Sequence, residues 1–327
     1  MRPLHEVSSD MRKVQLVSAG DASAQVLFEG LHARMMSFYN EESLRREYYE
    51  KAQVLNEVWR PGTYHWVLRS MATPGLSVLD LGCGSGHAFD NLRGRVVRYV
   101  GVDCSVAQIR KNQKEKLAAG GTDNGTFLAS SLYDVGLPGD SFDIVFSLFV
   151  LEHLVWPRRF LRETVRLTRP GGLIVILCPS FRSAGRMPSL PHGGPGSLKE
   201  KVRRADLGGA LRHVWSRLYW PQVVKRRYPS GRYPWLINLT PACLHEPWAT
   251  DNDALYMVDR AECVAELSSL GADDITEQVL AAIAESPRHD EGLCFIVARK
   301  GYGGVRGDGE SRLGPAVPDP GERSVPS

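Results

Sequence analysis

A chain of 327 residues, 43% hydrophobic and 24% charged, holds enough apolar material for one large α/β domain with an insertion or for two modest domains. Its six cysteines form no C-x-x-C pair, which argues against a disulfide framework or a zinc site and for reduced thiols. No apolar run reaches the ~18 residues that a membrane span needs, and the first residues lead into no apolar signal segment, so the expectation is a soluble, cytoplasmic protein. The net charge of +3 is unevenly placed. The stretch from Phe181 to Trp235 carries 12 Lys or Arg against Glu200 and Asp206, a local +10 that leaves −7 for the remainder.

Residues 1 to 36 give no firm signal. Asn40 reads as a helix cap followed by Glu41 and Glu42, with the helix running to Trp59 before Pro61-Gly62 breaks it. A short helix from Thr63 to Met71 follows, ended by Pro74-Gly75. These helices carry Tyr39, Tyr48, Tyr49, Trp59, Tyr64 and Trp66, suited to packing against a main domain or, for the three tyrosines, to closing over a bound ligand. Next comes Ser77-Val78-Leu79-Asp80-Leu81-Gly82-Cys83-Gly84-Ser85-Gly86-His87, a buried strand that turns through alternate glycines into a helix. Such a turn lets backbone approach a ligand and aims free N–H groups at it. His87 stands where a dinucleotide fingerprint would put its last glycine, and Asp80 would repel a pyrophosphate but suits an ammonium group.

Strand and helix then alternate, which predicts a parallel sheet. Strands are expected at Val96–Val102, closed by Asp103, then at Thr126–Ala129, Ser141–Phe149 and Leu173–Cys178, with helices at Ser105–Leu117 and Arg158–Leu167 and a turn at Arg169-Pro170-Gly171-Gly172. Residues 181 to 254 break the pattern with Pro, Gly, Arg and aromatics. Within them Leu211, Val214, Trp215 and Leu218 fall on one helical face. A capping box Asp259-x-x-Glu262 starts a helix that Gly271 ends. Asp274–Leu280 and Gly292–Ala298 read as a terminal antiparallel hairpin, and the tail after Lys300 has almost nothing to bury.

Several features from Leu76 to Ser180 fall in the order of one family. They are the Asp80 glycine turn, Asp103 at the second strand's end, Phe142-Asp143-Ile144-Val145 followed by Glu152-His153, and Thr168-Arg169-Pro170-Gly171-Gly172-Leu173. In them the chain resembles the class I S-adenosylmethionine-dependent methyltransferases of the type 11 methyltransferase-domain family. The resemblance implies a doubly wound, Rossmann-like seven-stranded sheet with an antiparallel last strand, N-terminal helices over 1–72, a cofactor-binding core over 73–180, an inserted substrate cap over 181–254, the last helix and strands over 255–300, and a disordered tail over 301–327. It implies S-adenosylmethionine as cofactor. Asp80, Gly82, Cys83 and Gly84 would hold the methionine part, Asp103 the ribose, Cys104 the adenine side, and Ser147 and Leu148 would sit beside the sulfonium. Where the family often has an acid after strand three, this chain has Ser130-Ser131-Leu132-Tyr133-Asp134, so Ser131 and Leu132 take that place unless Asp134 reaches in.

Methyl transfer needs alignment and, for a hydroxyl acceptor, a base. The candidates are His153, His192, His245, Asp251 and Asp253, of which His153, His245 and Asp251 are preferred. No metal is expected. The expected acceptor is a small molecule methylated at oxygen, with an anionic, sugar- or lipid-linked acceptor as one form. A macromolecular methyltransferase and a silent cofactor-binding scaffold are the alternatives. Nucleic acid is disfavoured because strand four lacks an Asn/Asp-Pro-Pro-aromatic tetrapeptide, and the basic segment 181–235 offers either an acceptor surface or a peripheral membrane contact without a transmembrane segment.

Overall fold

The computed structural model describes residues 14–18, 24–42, 48, 59–117, 124–189, 198–245, 249 and 251–302. Tyr49, His192, Trp248, most of the helix expected up to Trp59, and the tail after Tyr302 lie outside the described residues.

The core is a seven-stranded sheet. Its strands are β2 (Ser77–Leu81), β3 (Arg98–Asp103), β4 (Gly125–Ala129), β5 (Phe142–Leu148), β6 (Thr168–Pro179), β8 (Ala272–Asp274) and β9 (Leu293–Lys300), in the spatial order β4-β3-β2-β5-β6-β9-β8. The first five run parallel, while β9 pairs antiparallel with both β6 and β8. Strand order reverses between β2 and β5, so the crevice at the carboxyl ends of these two strands is the switch point where open α/β sheets bind ligands. Side chains alternate through the sheet. Leu79, Leu81, Val145 and Ile176 enter one apolar layer, while Val78, Ile144, Phe146 and Val175 enter the other.

Helices cover both faces. Phe160, Leu161 and Val165 of α5 (Pro157–Leu167) pack in the first layer with Cys263 and Leu267 of α8 (Arg260–Ser269). Val67 and Leu68 of α2 (Tyr64–Met71) and Phe89 and Leu92 of α3 (His87–Leu92) pack in the second. Helix α4 (Val106–Asn112) starts at Ser105, whose side chain accepts from Gln108 N–H, and passes into a π-helical turn to Leu117.

Several expectations are corrected. Helix α1 (Gln25–Ser37) lies where the sequence gave no signal, and it runs on through a π-helical turn, Phe38–Glu42. Asn40 is therefore not a cap: its amide donates to Met36 O and accepts from Val106 N–H. A short strand β1 (Leu16–Ser18) pairs antiparallel with β7 (Leu236–Asn238), joining the N-terminal segment to the insertion. The Arg169–Gly172 turn is a bulge at the start of β6, where register steps from Phe142 opposite Thr168 to Ile144 opposite Leu173 and Gly171 takes φ +77. Glu262 does not close a capping box, because its carboxylate accepts instead from Arg182, Trp235 N–H and Tyr256 O–H. The expected strand Asp274–Leu280 stops at Asp274. Thr276–Ala282 is helix α9, with the Asp274 carboxylate accepting from Thr276 N–H.

The insertion contains α6 (Leu198–Arg203), the long helix α7 (Leu207–Arg227) and β7. It is tied to α8 by Arg182, a buried guanidinium that pairs with Asp259 at 3.0 Å and Glu262 at 2.7 Å. Counted as a surface cation from the sequence, Arg182 is spent in the interior.

Candidate functional site

A cavity of about 400 Å³ opens at the carboxyl ends of β2, β3 and β5, within the range of small-ligand sites. One side is made almost entirely of backbone and strand-end acids. Gly82, Gly84 and Gly86 take φ +85, +47 and +72, the left-handed region that non-glycine residues avoid. A β-carbon on Gly82 would lie 2.3 Å from Val150 Cγ2, so the turn passes tight beneath Val150. Gly82 and Cys83 N–H groups donate to Val102 O, which binds the turn to β3. Asp103 accepts from Gly84 N–H at 3.0 Å and Ser105 N–H at 2.9 Å, bracing the turn while its carboxylate lines the cavity.

Asp80 is buried and accepts from Tyr99 O–H at 2.6 Å. Burial raises its pKa to about 7, against the opposing hydrogen bond from Tyr99 and with added repulsion from Asp103. A cation bound beside it would offset the burial penalty and hold the carboxylate ionised. Two strand-end acids and a close-approach glycine turn therefore fit a ligand with a positively charged amino-acid end and a ribose, and S-adenosylmethionine is such a ligand. Burial also raises the pKa values of Cys83 and Cys104, so these cavity thiols are walls and not nucleophiles.

Of the other expected contacts, Ser131, Leu132 and Leu148 line the cavity. Ser131 Oγ accepts from Tyr133 N–H, the geometry of a serine turn. Asp134 is exposed and does not reach in. Ser147 is buried away from the cavity, its hydroxyl without a partner among the described residues, and Phe149 lines the wall beside Leu148 in its place.

The other side is made of side chains that are remote in sequence. Helix α1 and the segment after it bring His32, Met35, Met36, Tyr39 and Tyr48, while the short 3₁₀ turn Leu151–His153 brings His153. Behind this wall lies Asp253. Its Oδ2 accepts from Tyr48 O–H at 2.8 Å and Tyr39 O–H at 3.2 Å and lies 3.3 Å from His153 Nδ1. Asp253 O is also 3.3 Å from that nitrogen. Glu152, on the other side of the ring, is 3.6 Å from Nε2 and is itself pushed up to about 7 by burial, with His153 opposing. Burial alone would lower the His153 pKa, but the Asp253 and Glu152 carboxylates outweigh it and the net shift is upward. His32 and His65, which also line the cavity, shift the other way: burial lowers both, His65 to about 4. Among these three, His153 alone is poised to take up a proton.

The remaining catalytic candidates lie elsewhere. Asp251 sits at φ +63 in an ion pair with Arg186, and His245 is exposed at the end of a 3₁₀ turn; neither lines the cavity. Asp253, passed over in favour of Asp251, is the residue that meets His153. No described residue of the segment 181–254 lines the cavity, and no described Lys or Arg does. The described part of the basic aromatic insertion is therefore not its wall. Trp220 and Trp235 are packed in the apolar layer, Trp235 stacking on Tyr256 at 5.5 Å. Among the described residues no cluster of His, Cys, Asp and Glu is arranged to hold a metal, and no helix is long and apolar enough to cross a membrane.

Residues 79–176 match the model of a family described as a methyltransferase domain. Over 130 residues the chain is 32% identical to an "uncharacterized methyltransferase" of Mycobacterium avium (strain 104), an alignment covering 39% of this chain and 46% of that one. The chain thus spans about half the length of these first curated relatives. It is 26% identical to a ubiquinone biosynthesis O-methyltransferase of Pseudomonas aeruginosa (strain UCBPP-PA14), covering 69% of this chain and 95% of the relative. Among solved structures, an S-adenosylmethionine-dependent methyltransferase from Mesorhizobium loti aligns with a TM-score of 0.43 and 18% identity, over 73% of this chain and 99% of that one.

Proposed function

We propose that this chain, whose residues 79–176 match a methyltransferase domain, is an S-adenosylmethionine-dependent methyltransferase that methylates a hydroxyl oxygen on a small, largely apolar acceptor, with His153 as general base and Asp253 as its positioning partner. The observation that carries this reading is the His153–Asp253 contact at 3.3 Å on the wall of the cavity that the glycine turn also lines. When bound, S-adenosylmethionine supplies a methyl group on a positively charged sulfur. Asp103 would hold its ribose hydroxyls, and Asp80 with the backbone of Gly82 and Gly84 its amino-acid end.

The chain's own work is then alignment and proton removal. A hydroxyl is a poor nucleophile until its proton is taken. His153 lies between two carboxylates, Asp253 at 3.3 Å from Nδ1 and Glu152 at 3.6 Å from Nε2, and both stabilise the imidazolium that forms when the ring takes the proton. Tyr39 and Tyr48 keep the Asp253 carboxylate fixed during that change of charge. Met35, Met36, Trp59, Phe149 and Leu154 among the described lining residues are apolar, which suits an aromatic or aliphatic alcohol. Similarity to the Pseudomonas ubiquinone biosynthesis O-methyltransferases supports oxygen as the acceptor atom.

The test is methyl transfer from S-adenosylmethionine to a panel of phenols and apolar alcohols, with the wild type beside His153→Ala. Turnover of a hydroxyl acceptor that falls ~10²-fold or more in His153→Ala, with S-adenosylhomocysteine affinity unchanged, is the expected result. Equal turnover in the two proteins would remove the base from the proposal.

A further inference from the structure

The pattern Leu211, Val214, Trp215, Leu218 suggests a helix face turned to the core, yet in the structure that face is the one left outside. Leu207, Leu211, Val214, Trp215 and Leu218 of α7 are 42% to 71% exposed, and Val202 of α6 is 58% exposed. The face of α7 that meets the body is a different one, carrying Ala210, His213, Trp220 and Val224, each 8% exposed or less. Spacings of three and four within each set put them on two separate sides of the helix. The attachment is tight at its far end: Gly185 lies under Pro221, where a β-carbon would come within 2.3 Å of the proline Cα. Helix α7 therefore has two apolar faces, one buried in the fold and one continuous outward stripe.

Charge decides what covers that stripe. Lys199, Arg203 and Arg204 are exposed at one end of the helix pair, and Lys225, Arg226 and Arg227 at the other, against Glu200 and an Asp206 carboxylate that caps Gly209. A second copy of the chain would bring two such sets of cations together. A nucleic acid would satisfy the cations but leave leucines and a tryptophan against phosphate. An anionic bilayer satisfies both, taking the leucines into the acyl boundary, Trp215 at headgroup depth, and the terminal cations onto lipid phosphates. We propose that the α6–α7 pair is an interfacial membrane anchor, lying in the surface of a membrane rich in anionic lipid. The proposal stands independently of the acceptor and of the role of His153.

The experiment is flotation of the full chain with phosphatidylcholine vesicles carrying roughly one third phosphatidylglycerol, and with pure phosphatidylcholine vesicles. Binding to the anionic vesicles is expected to be roughly tenfold or more tighter than to the neutral ones. The exposed pair Leu211→Glu with Leu218→Glu should lose it roughly tenfold or more, and Lys225→Glu with Arg226→Glu should abolish the anionic preference. Unchanged S-adenosylhomocysteine affinity and far-ultraviolet circular dichroism in each variant show that the fold is intact. A wild type that floats with neither vesicle, or floats equally well with both leucines changed to glutamate, overturns the proposal. So does sedimentation showing a wild-type dimer that the leucine variant converts to monomer, because a second copy would then cover the stripe.

Discussion

The two sides of the cavity are built by different means. At the ends of β2 and β3 the surface is backbone: left-handed glycines, N–H groups committed to Val102 O and Asp103, and two acids, Asp80 beside the turn and Asp103 19 residues after Gly84. On the acceptor side it is side chain, drawn from α1, Tyr48, the turn after β5 and Asp253, with Tyr48 and Asp253 205 residues apart. A backbone site is as rigid as the sheet it ends, and it suits a ligand common to many enzymes. A side-chain site can be rebuilt residue by residue without disturbing that sheet. The two sides should therefore fail differently when mutated, one in binding and the other in turnover.

The sharpest separation comes from His153. Its replacement by Ala should lower kcat on a hydroxyl acceptor by ~10²–10³, measured in steady state, and leave S-adenosylhomocysteine affinity within about twofold of wild type. The wild-type rate should rise with pH, because the neutral imidazole is the base, and the midpoint should lie above the ordinary histidine value, as its upward shift requires. Asp253→Asn should move that midpoint down as well as slow the reaction. A flat profile from pH 5.5 to 9 would exclude a histidine base.

The mirror image is Asp103→Ala. It removes the acceptor for Gly84 and Ser105 N–H and, with it, the proposed ribose contact. Calorimetry should show S-adenosylhomocysteine binding weakened by about 1–3 kcal/mol, some ten- to hundredfold. Turnover at saturating cofactor should fall far less than in His153→Ala. If both variants lose binding and turnover in the same proportion, the division between the two sides is wrong.

The same division explains what could be read in the sequence. The places of Asp80, Gly82, Gly84 and Asp103 on the cavity were legible because each is set by its local position, at a strand end or in a turn. The sheet was legible because fully apolar strands such as Leu173–Cys178 have one place to go. The acceptor side was not. Helix α1 starts at Ala24 with no side-chain cap, so its first turn leaves no mark in the sequence. Of the two close carboxylates the sequence reading prefers Asp251, but the left-handed backbone at Asp251, with its Arg186 partner, sends that one outward and leaves Asp253 for His153. The stripe on α7 was visible as a pattern, but periodicity reports that a helix has an apolar side and not whether protein covers it. Asp274–Leu280 reads as strand from its Ile, Val and Leu content, but past Asp274, whose carboxylate accepts from Thr276 N–H, the chain turns into helix.

Asp80 gives a finer test, because function and stability pull it in opposite directions. Its folded-state pKa of about 7 lies above the ordinary aspartate value of 3.8, so the unliganded fold binds its proton more tightly than the unfolded chain does. Stability from this group is full below about pH 4 and is lost as pH rises through about 7. Asp80→Asn should therefore stabilise the ligand-free protein by about 1–3 kcal/mol at pH 8 and by little at pH 4, read from urea unfolding. It should at the same time weaken S-adenosylhomocysteine binding, and the wild-type affinity should itself improve as pH rises through about 7. A variant that is no more stable at pH 8 would mean that Asp80 carries no burial penalty.

The smallest effect expected is at the tyrosines, and it asks whether the acceptor side works as one unit. Tyr48→Phe takes a 2.8 Å donor from Asp253 and Tyr39→Phe a weaker one at 3.2 Å. With fewer donors to share its charge, Asp253 holds the His153 imidazolium more strongly. The pH–rate midpoint should then rise, by on the order of half a unit for Tyr48→Phe and less for Tyr39→Phe. On the alkaline plateau of each profile, kcat should differ from wild type by only a few fold. Combining the two changes tests the coupling. Shifts that add show two independent donors, whereas a double variant that loses far more than the sum shows that the tyrosines hold Asp253 in place, and that His153 depends on them for its position as well as its charge.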